Sequence, residues 1–153
     1  MPLKLTELEH KWAAVDVFGD GTVMAKYLPS RFNDDVINVG KATQRMAVRM
    51  EAKQKELDAL PEPPVGADKT IMEVAELRRE ELEREIEAMQ TEITKRNIDF
   101  LDNLLYDADL LDDDGNPYKP TREDWAKLGY IIQGYYVQAI FEDIEGKAKK
   151  ANG

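Results

Sequence analysis

The sequence contains no cysteine, a single histidine, His10, and a single serine, Ser30. Without cysteine there is no disulfide, no thiolate metal ligand and no thiol nucleophile, and an oxidising compartment is not required. Ser30 does not sit in a nucleophile-elbow context, and no G-x-x-x-x-G-K phosphate loop is present. His10 lies beside Lys11 with no partner visible in the sequence, and no Asp or Glu is set apart from its many solvated neighbours. The expectation is therefore a protein that is not an enzyme and that carries no cofactor and no metal. Long apolar runs are missing as well. The richest, "YIIQGYYVQAIF", is too short and too interrupted to span a bilayer, and "MPLKLTELEHKW" has no apolar stretch ahead of its charges as a signal peptide would. Positive charge is scarce: 21 Lys and Arg stand against 31 Asp and Glu, a net charge of -10. Duplex binding needs a basic face, so neither nucleic acid nor an anionic membrane is an expected partner, and a soluble, cytoplasmic life is expected.

What is present is mostly helical periodicity. The chain has 153 residues, which favours one domain. An N-terminal segment, residues 1–32, holds the one strand signal. "WAAVDVF" and "TVMAKYL" each alternate apolar and polar positions, and the intervening "GDG" supplies glycines for a tight turn at positive φ. Such a hairpin needs a helix to pack on.

Residues 33–106 read as a long antiparallel helical hairpin. Asn33 or Asp34 caps its first helix, with Val36, Val39, Ala42, Met46 and Met50 at helical spacing. "LPEPPVGAD", residues 60–68, breaks the helix with prolines and Gly66. The second helix is expected from Lys69 to Tyr106, about 55 Å long at 1.5 Å per residue, with Asp68 as its cap. Met72, Ala75, Leu82, Ile86, Met89, Ile93 and Phe100 step by threes and fours as a coiled-coil seam, interrupted by Arg79 and Arg96. That seam either packs within the chain or receives a partner helix or a second copy, so a homo-oligomer is an open alternative.

Residues 107–148 form an acidic turn and a C-terminal helix. Aligning Gly115 with the invariant glycine of an EF-hand loop puts Leu110 and Thr121 at its first and last ligand positions, where oxygen ligands and a Glu are needed. The calcium reading fails there. Asp112, Asp113, Asp114, Gly115 and Asn116 read better as a turn. Thr121 is an N-cap followed by Glu123 and Asp124, and one helix is expected from Arg122 to Lys147, with residues 149–153 a disordered tail. Trp125, Tyr135, Tyr136, Ile140 and Phe141 on this helix are the expected partner-binding residues. Tyr135 and Tyr136 cannot face the same side, so at least one of them is expected to be partly exposed.

Three short motifs carry a resemblance. Tyr27-Leu28-Pro29 closes the hairpin before a helix. Leu104 to Asp107 (Leu-Leu-Tyr-Asp) precedes the acidic turn with Gly115-Asn116-Pro117. The last helix contains Ala139 to Asp143 (Ala-Ile-Phe-Glu-Asp). Over residues 12–35 and 98–145 the chain resembles the tail assembly chaperones of long-tailed bacteriophages. It departs in lacking a Trp near Tyr106 and in its long charged hairpin between residues 50 and 95. The resemblance implies a chaperone of the host cytoplasm that keeps the helical tape-measure protein soluble until the tail tube protein polymerises around it. Two other readings stand beside it: an acidic mimic of nucleic acid that inhibits a host enzyme, and a structural virion protein.

Overall fold

Alternation in the N-terminal segment produces the expected hairpin. Strand β1 (Lys11–Asp16) pairs antiparallel with β2 (Thr22–Tyr27), Ala13 opposite Ala25 and Val15 opposite Val23. Ala13, Val15, Ala25 and Tyr27 point into the core, while Trp12, Ala14 and Asp16 face outward, as a period of two requires. A one-turn helix α1 (Leu5–Glu9) precedes them. These coordinates are a computed structural model that describes the backbone of all residues except Met1, Leu3, Asp20, Pro63 and Gly153, and the side chains of the same residues except Thr6, Glu7 and 147–152. In the turn, Val17 N–H donates to the Gly21 carbonyl at 3.2 Å, and Gly19 takes the left-handed conformation (φ 73). Phe18 shares it (φ 56), held edge-on to the Tyr135 ring at 5.2 Å between centroids.

The protein is mainly helical, with two long helices. Helix α2 (Asp34–Asp58) is capped by Asn33, whose Oδ1 accepts from Val36 N–H at 3.0 Å. Helix α3 (Lys69–Leu104) is capped by Asp68, which accepts from Thr70 N–H at 2.6 Å. Helix α3 ends two residues before the expected Tyr106, because the chain there becomes a strand. β3 (Leu105–Asp107) adds antiparallel to the free edge of β2, giving the order β1-β2-β3, with a bulge between Lys26 and Tyr27. A third strand gives the marginal two-stranded hairpin further backbone partners; Leu28 N–H donating to the Leu104 carbonyl at 2.9 Å extends the same edge.

The acidic turn is a second small hairpin, β4 (Leu110–Leu111) against β5 (Pro117–Tyr118). The single C-terminal helix that was expected is two. Helix α4 (Arg122–Leu128) stops at Gly129, whose φ 88 and ψ 167 leave helical space, and α5 (Tyr130–Asn152) restarts beyond it. The backbone of α5 is helical to Asn152, past the expected end at Lys147 and into the stretch expected to be a disordered tail; Gly153 lies outside the described residues.

The chain divides into two compact units. The first joins residues 1–39 to 94–153, and its core gathers Ala13, Val15, Ala25 and Tyr27 of the sheet, Phe100, Leu101 and Leu104 of α3, and Trp125, Tyr136, Ile140 and Phe141 of the C-terminal helices. Phe141 stacks on Phe100 and meets Phe32 edge-on, each at 5.0 Å. The second unit, residues 40–93, is the helical hairpin. Leu82, Ile93, Met50 and Thr43 are its buried positions, and Lys53–Glu85 (2.6 Å) and Arg78–Glu56 tie one arm to the other. The expected stripe is corrected at two places: Met72 and Val39 are half exposed, and Thr43 fills the buried position on α2 that Ala42 was expected to supply.

Candidate functional site

The residues expected to bind a partner lie inside. Trp125 and Tyr136 are each 2% exposed, Phe141 5% and Ile140 0%. Trp125 and Tyr136 meet edge-on at 5.0 Å. These four are brought together inside the first unit's core, covered by its sheet and helices. Tyr135 is half-buried against Phe18, so the two adjacent tyrosines do point to different sides. Gln133 is fully buried and joins the two C-terminal helices, its Nε2 donating to the Trp125 carbonyl at 2.6 Å across the Gly129 break.

The Asp112 carboxylate is engaged in building the acidic turn. Asp112 Oδ1 accepts from the amides of Asp114 (3.0 Å) and Asn116 (2.9 Å), Asp112 N–H donates to the Asn116 carbonyl at 2.8 Å, and Gly115 takes φ 83. Among the described residues no group of three or more His, Asp or Glu is placed to hold a metal ion. Beyond the turn, Asp124 Oδ2 accepts from the Tyr118 hydroxyl (2.5 Å), the Thr121 amide (2.9 Å) and the Thr121 hydroxyl (3.0 Å). The Tyr118 hydrogen bond first, then the Thr121 bonds, hold the Asp124 carboxyl below its ordinary range. Arg122 extends from the same helix start to Asp99 (2.5 Å) and Asp102 (3.1 Å) on α3.

Exposed apolar surface lies elsewhere. In the helical hairpin it gathers at the first turns of α3 and the connection before them: Val65, Ile71, Met72, Val74 and Leu77 are all more than half exposed. Beside them Leu60, Pro61, Met72 and Ala75, with Glu76 and Arg79 at the rim, line a groove of about 340 Å³. The sequence reading placed Met72 inside a seam. It missed the patch because helical spacing continues to the tip whether or not an opposing arm reaches that far.

In the first unit, the outer face of the sheet carries Trp12 and Tyr106, with the Lys26 ammonium 5.3 Å and 5.1 Å from their ring centres and the His10 ring 4.4 Å from Tyr106. Tyr106 was assigned to a helix, so this cross-strand row was not legible before the third strand was known. A further groove of about 370 Å³ runs over Val36, Val39, Phe100 and Leu104, edged by Asp35, Asp99 and Arg96. Nothing in either place gathers a nucleophile with a base. One is a mixed aromatic–cation face, the other an apolar trough with charged edges.

Compared with protein-family models, curated proteins and solved structures, the chain matches none. No helix among the described residues is long and apolar enough to cross a membrane.

Proposed function

We propose that this protein is a non-catalytic module that binds a helical client, and that the client is the tape-measure protein of a long-tailed bacteriophage, held soluble until the tail tube protein encloses it. The observation that carries the binding reading is the exposed row Ile71, Val74 and Leu77, with Met72 beside it, at the start of α3. Helical spacing sets these side chains along one side of a rigid rod, and an apolar helix face laid against a client's apolar stripe is a recurring mode of peptide recognition. A cluster of exposed aliphatic side chains is the kind of surface that marks an interaction site. The choice of client rests on the resemblance of residues 12–35 and 98–145 to tail assembly chaperones.

Co-expression with the tape-measure protein tests it. The wild-type chain should bring the client into the soluble fraction and co-purify with it. Ile71→Asp combined with Val74→Asp, on an exposed face where folding tolerates charge, should cut recovery of the client at least tenfold. Purified virions should lack the chain. A client that stays insoluble, or recovery unchanged by the double substitution, would remove the proposal. A tight complex with a basic host enzyme, displaced by DNA, would favour the nucleic-acid mimic.

A further inference from the structure

The helical hairpin carries two unpaired rows of opposite charge. On α2, Lys41, Arg45 and Arg49 follow one another at four-residue spacing, all exposed, on a chain whose net charge is -10. None of the three has an Asp or Glu three or four residues away, and none makes an ion pair or hydrogen bond among the described residues. Lys53 continues the row but is engaged with Glu85. Like charges at this spacing weaken a helix, so α2 holds a local cost that nothing in its own hairpin offsets. The stems of Lys41, Arg45 and Arg49 with Gln44 and the exposed Val48 line a shallow groove along this face.

On α3, Glu76, Glu80, Glu83 and Glu87 are spaced four, three and four apart, all exposed, and their carboxylates make no ion pair among the described residues. At 1.5 Å per residue the cationic row is about 12 Å long and the anionic row about 17 Å, so three cations fit against four carboxylates. Both rows lie on the side of their helix away from the seam centred on Met50 and Leu82. They therefore face away from each other and cannot pair within one hairpin.

We infer that these rows are the two halves of a contact between copies of this chain, the α2 cations of one molecule seated on the α3 carboxylates of the next. The inference rests on other side chains than the client-binding reading, which uses Ile71, Met72, Val74 and Leu77. A matching anionic helix is present in the molecule itself, whereas a nucleic acid would meet the whole acid excess along with three cations. Because the two rows are different surfaces on opposite sides of the hairpin, the contact is head-to-tail. It leads to closed rings or open chains and not to a two-fold dimer.

The test is sedimentation of the full chain over a range of concentrations. In about 0.1 M salt, where the Debye length is about 10 Å, the average mass should grow with concentration past that of two chains; in about 1 M salt, where it is about 3 Å, the mass should return to one chain. Reversing one row (Lys41→Glu, Arg45→Glu, Arg49→Glu) should leave a monomer, and so should reversing the other (Glu76→Lys, Glu80→Lys, Glu83→Lys, Glu87→Lys), each with helical circular dichroism retained. An equimolar mixture of the two variants should associate again, since each then supplies the row the other lacks, and this recovery would not occur if the substitutions had merely unfolded the hairpin. A wild-type chain that stays monomeric at the lower salt, a size that stops at two, reversal variants that associate like wild type, or a mixture that stays monomeric would each overturn the inference. So would wild-type monomer that captures duplex DNA through the cationic row.

Discussion

Tyr27 concentrates the physical chemistry of the first unit in one side chain. It is fully buried, it ends β2, and its hydroxyl donates to the Asp143 carboxylate on α5 at 2.5 Å. Burial first, then the Asp143 hydrogen bond and charge, push its phenol well above the ordinary tyrosine range. Tyr136, buried and near the charge of Asp109, is pushed up to about 12. A folded-state pKa above the unfolded one means that the phenols contribute fully below the unfolded value of about 10, and that this contribution is lost as pH rises from there through the folded values. The midpoint of thermal unfolding should therefore fall as pH is raised from about 9 to about 11.5. Tyr27→Phe should destabilise the protein by about 1.5–3 kcal/mol at neutral pH through the lost charge-assisted bond. It should also make that alkaline decline shallower. Equal slopes for variant and wild type would show that Tyr27 is not the group responsible. The pairing itself was not visible in the sequence. Tyr27 and Asp143 are 116 residues apart, and each looked ordinary in its own window.

At the scale of elements, local signals placed the hairpin, both long helices, the caps Asn33, Asp68 and Thr121, and the turn at Asp112. They failed where a neighbour distant in the chain decided the outcome. Leu105 to Asp107 continue a helical pattern, yet β2 offers them an open edge, and strand pairing wins. The break at Gly129 was missed for a different reason: the apolar stripe runs on through Trp125, Leu128 and Ile132 with no proline to interrupt it. The glycine makes the change of direction by adopting φ 88 and ψ 167, with its amide still donating to the Trp125 carbonyl at 3.2 Å. A Cβ there would meet no neighbour within 4 Å, so the barrier to substitution is the backbone conformation alone. Gly129→Ala should cost about 1–3 kcal/mol, read as a lower urea midpoint with an unchanged m-value. A neutral result would mean that α4 and α5 run as one continuous helix in solution.

The two units rest on different kinds of packing. The first has an aromatic-rich core shared by sheet and helices, and the second a narrow seam with ion pairs at its edges. Ile140→Ala and Leu82→Ala each remove a fully buried aliphatic side chain and should each cost about 2–5 kcal/mol. Hydrogen exchange should distinguish them: Ile140→Ala should lower protection of amides in residues 1–39 and 94–153, and Leu82→Ala in residues 40–93. Uniform loss of protection in either variant would mean that the chain opens as a single cooperative body.

The sequence by itself determined the N-terminal hairpin, the two long helices, their caps and the turn chemistry of Asp112, because helical and strand periodicity, capping and turn formation are properties of neighbouring residues. Tertiary structure alone decided which apolar stripes became interior and which stayed on the surface. Trp125, Tyr136, Ile140 and Phe141 are covered because the sheet and the end of α3 meet them, while Ile71, Met72 and Val74 continue the same helical grammar and stay more than half exposed. Burial is a property of what lies across from a side chain, and that is set by contacts between segments far apart in the chain.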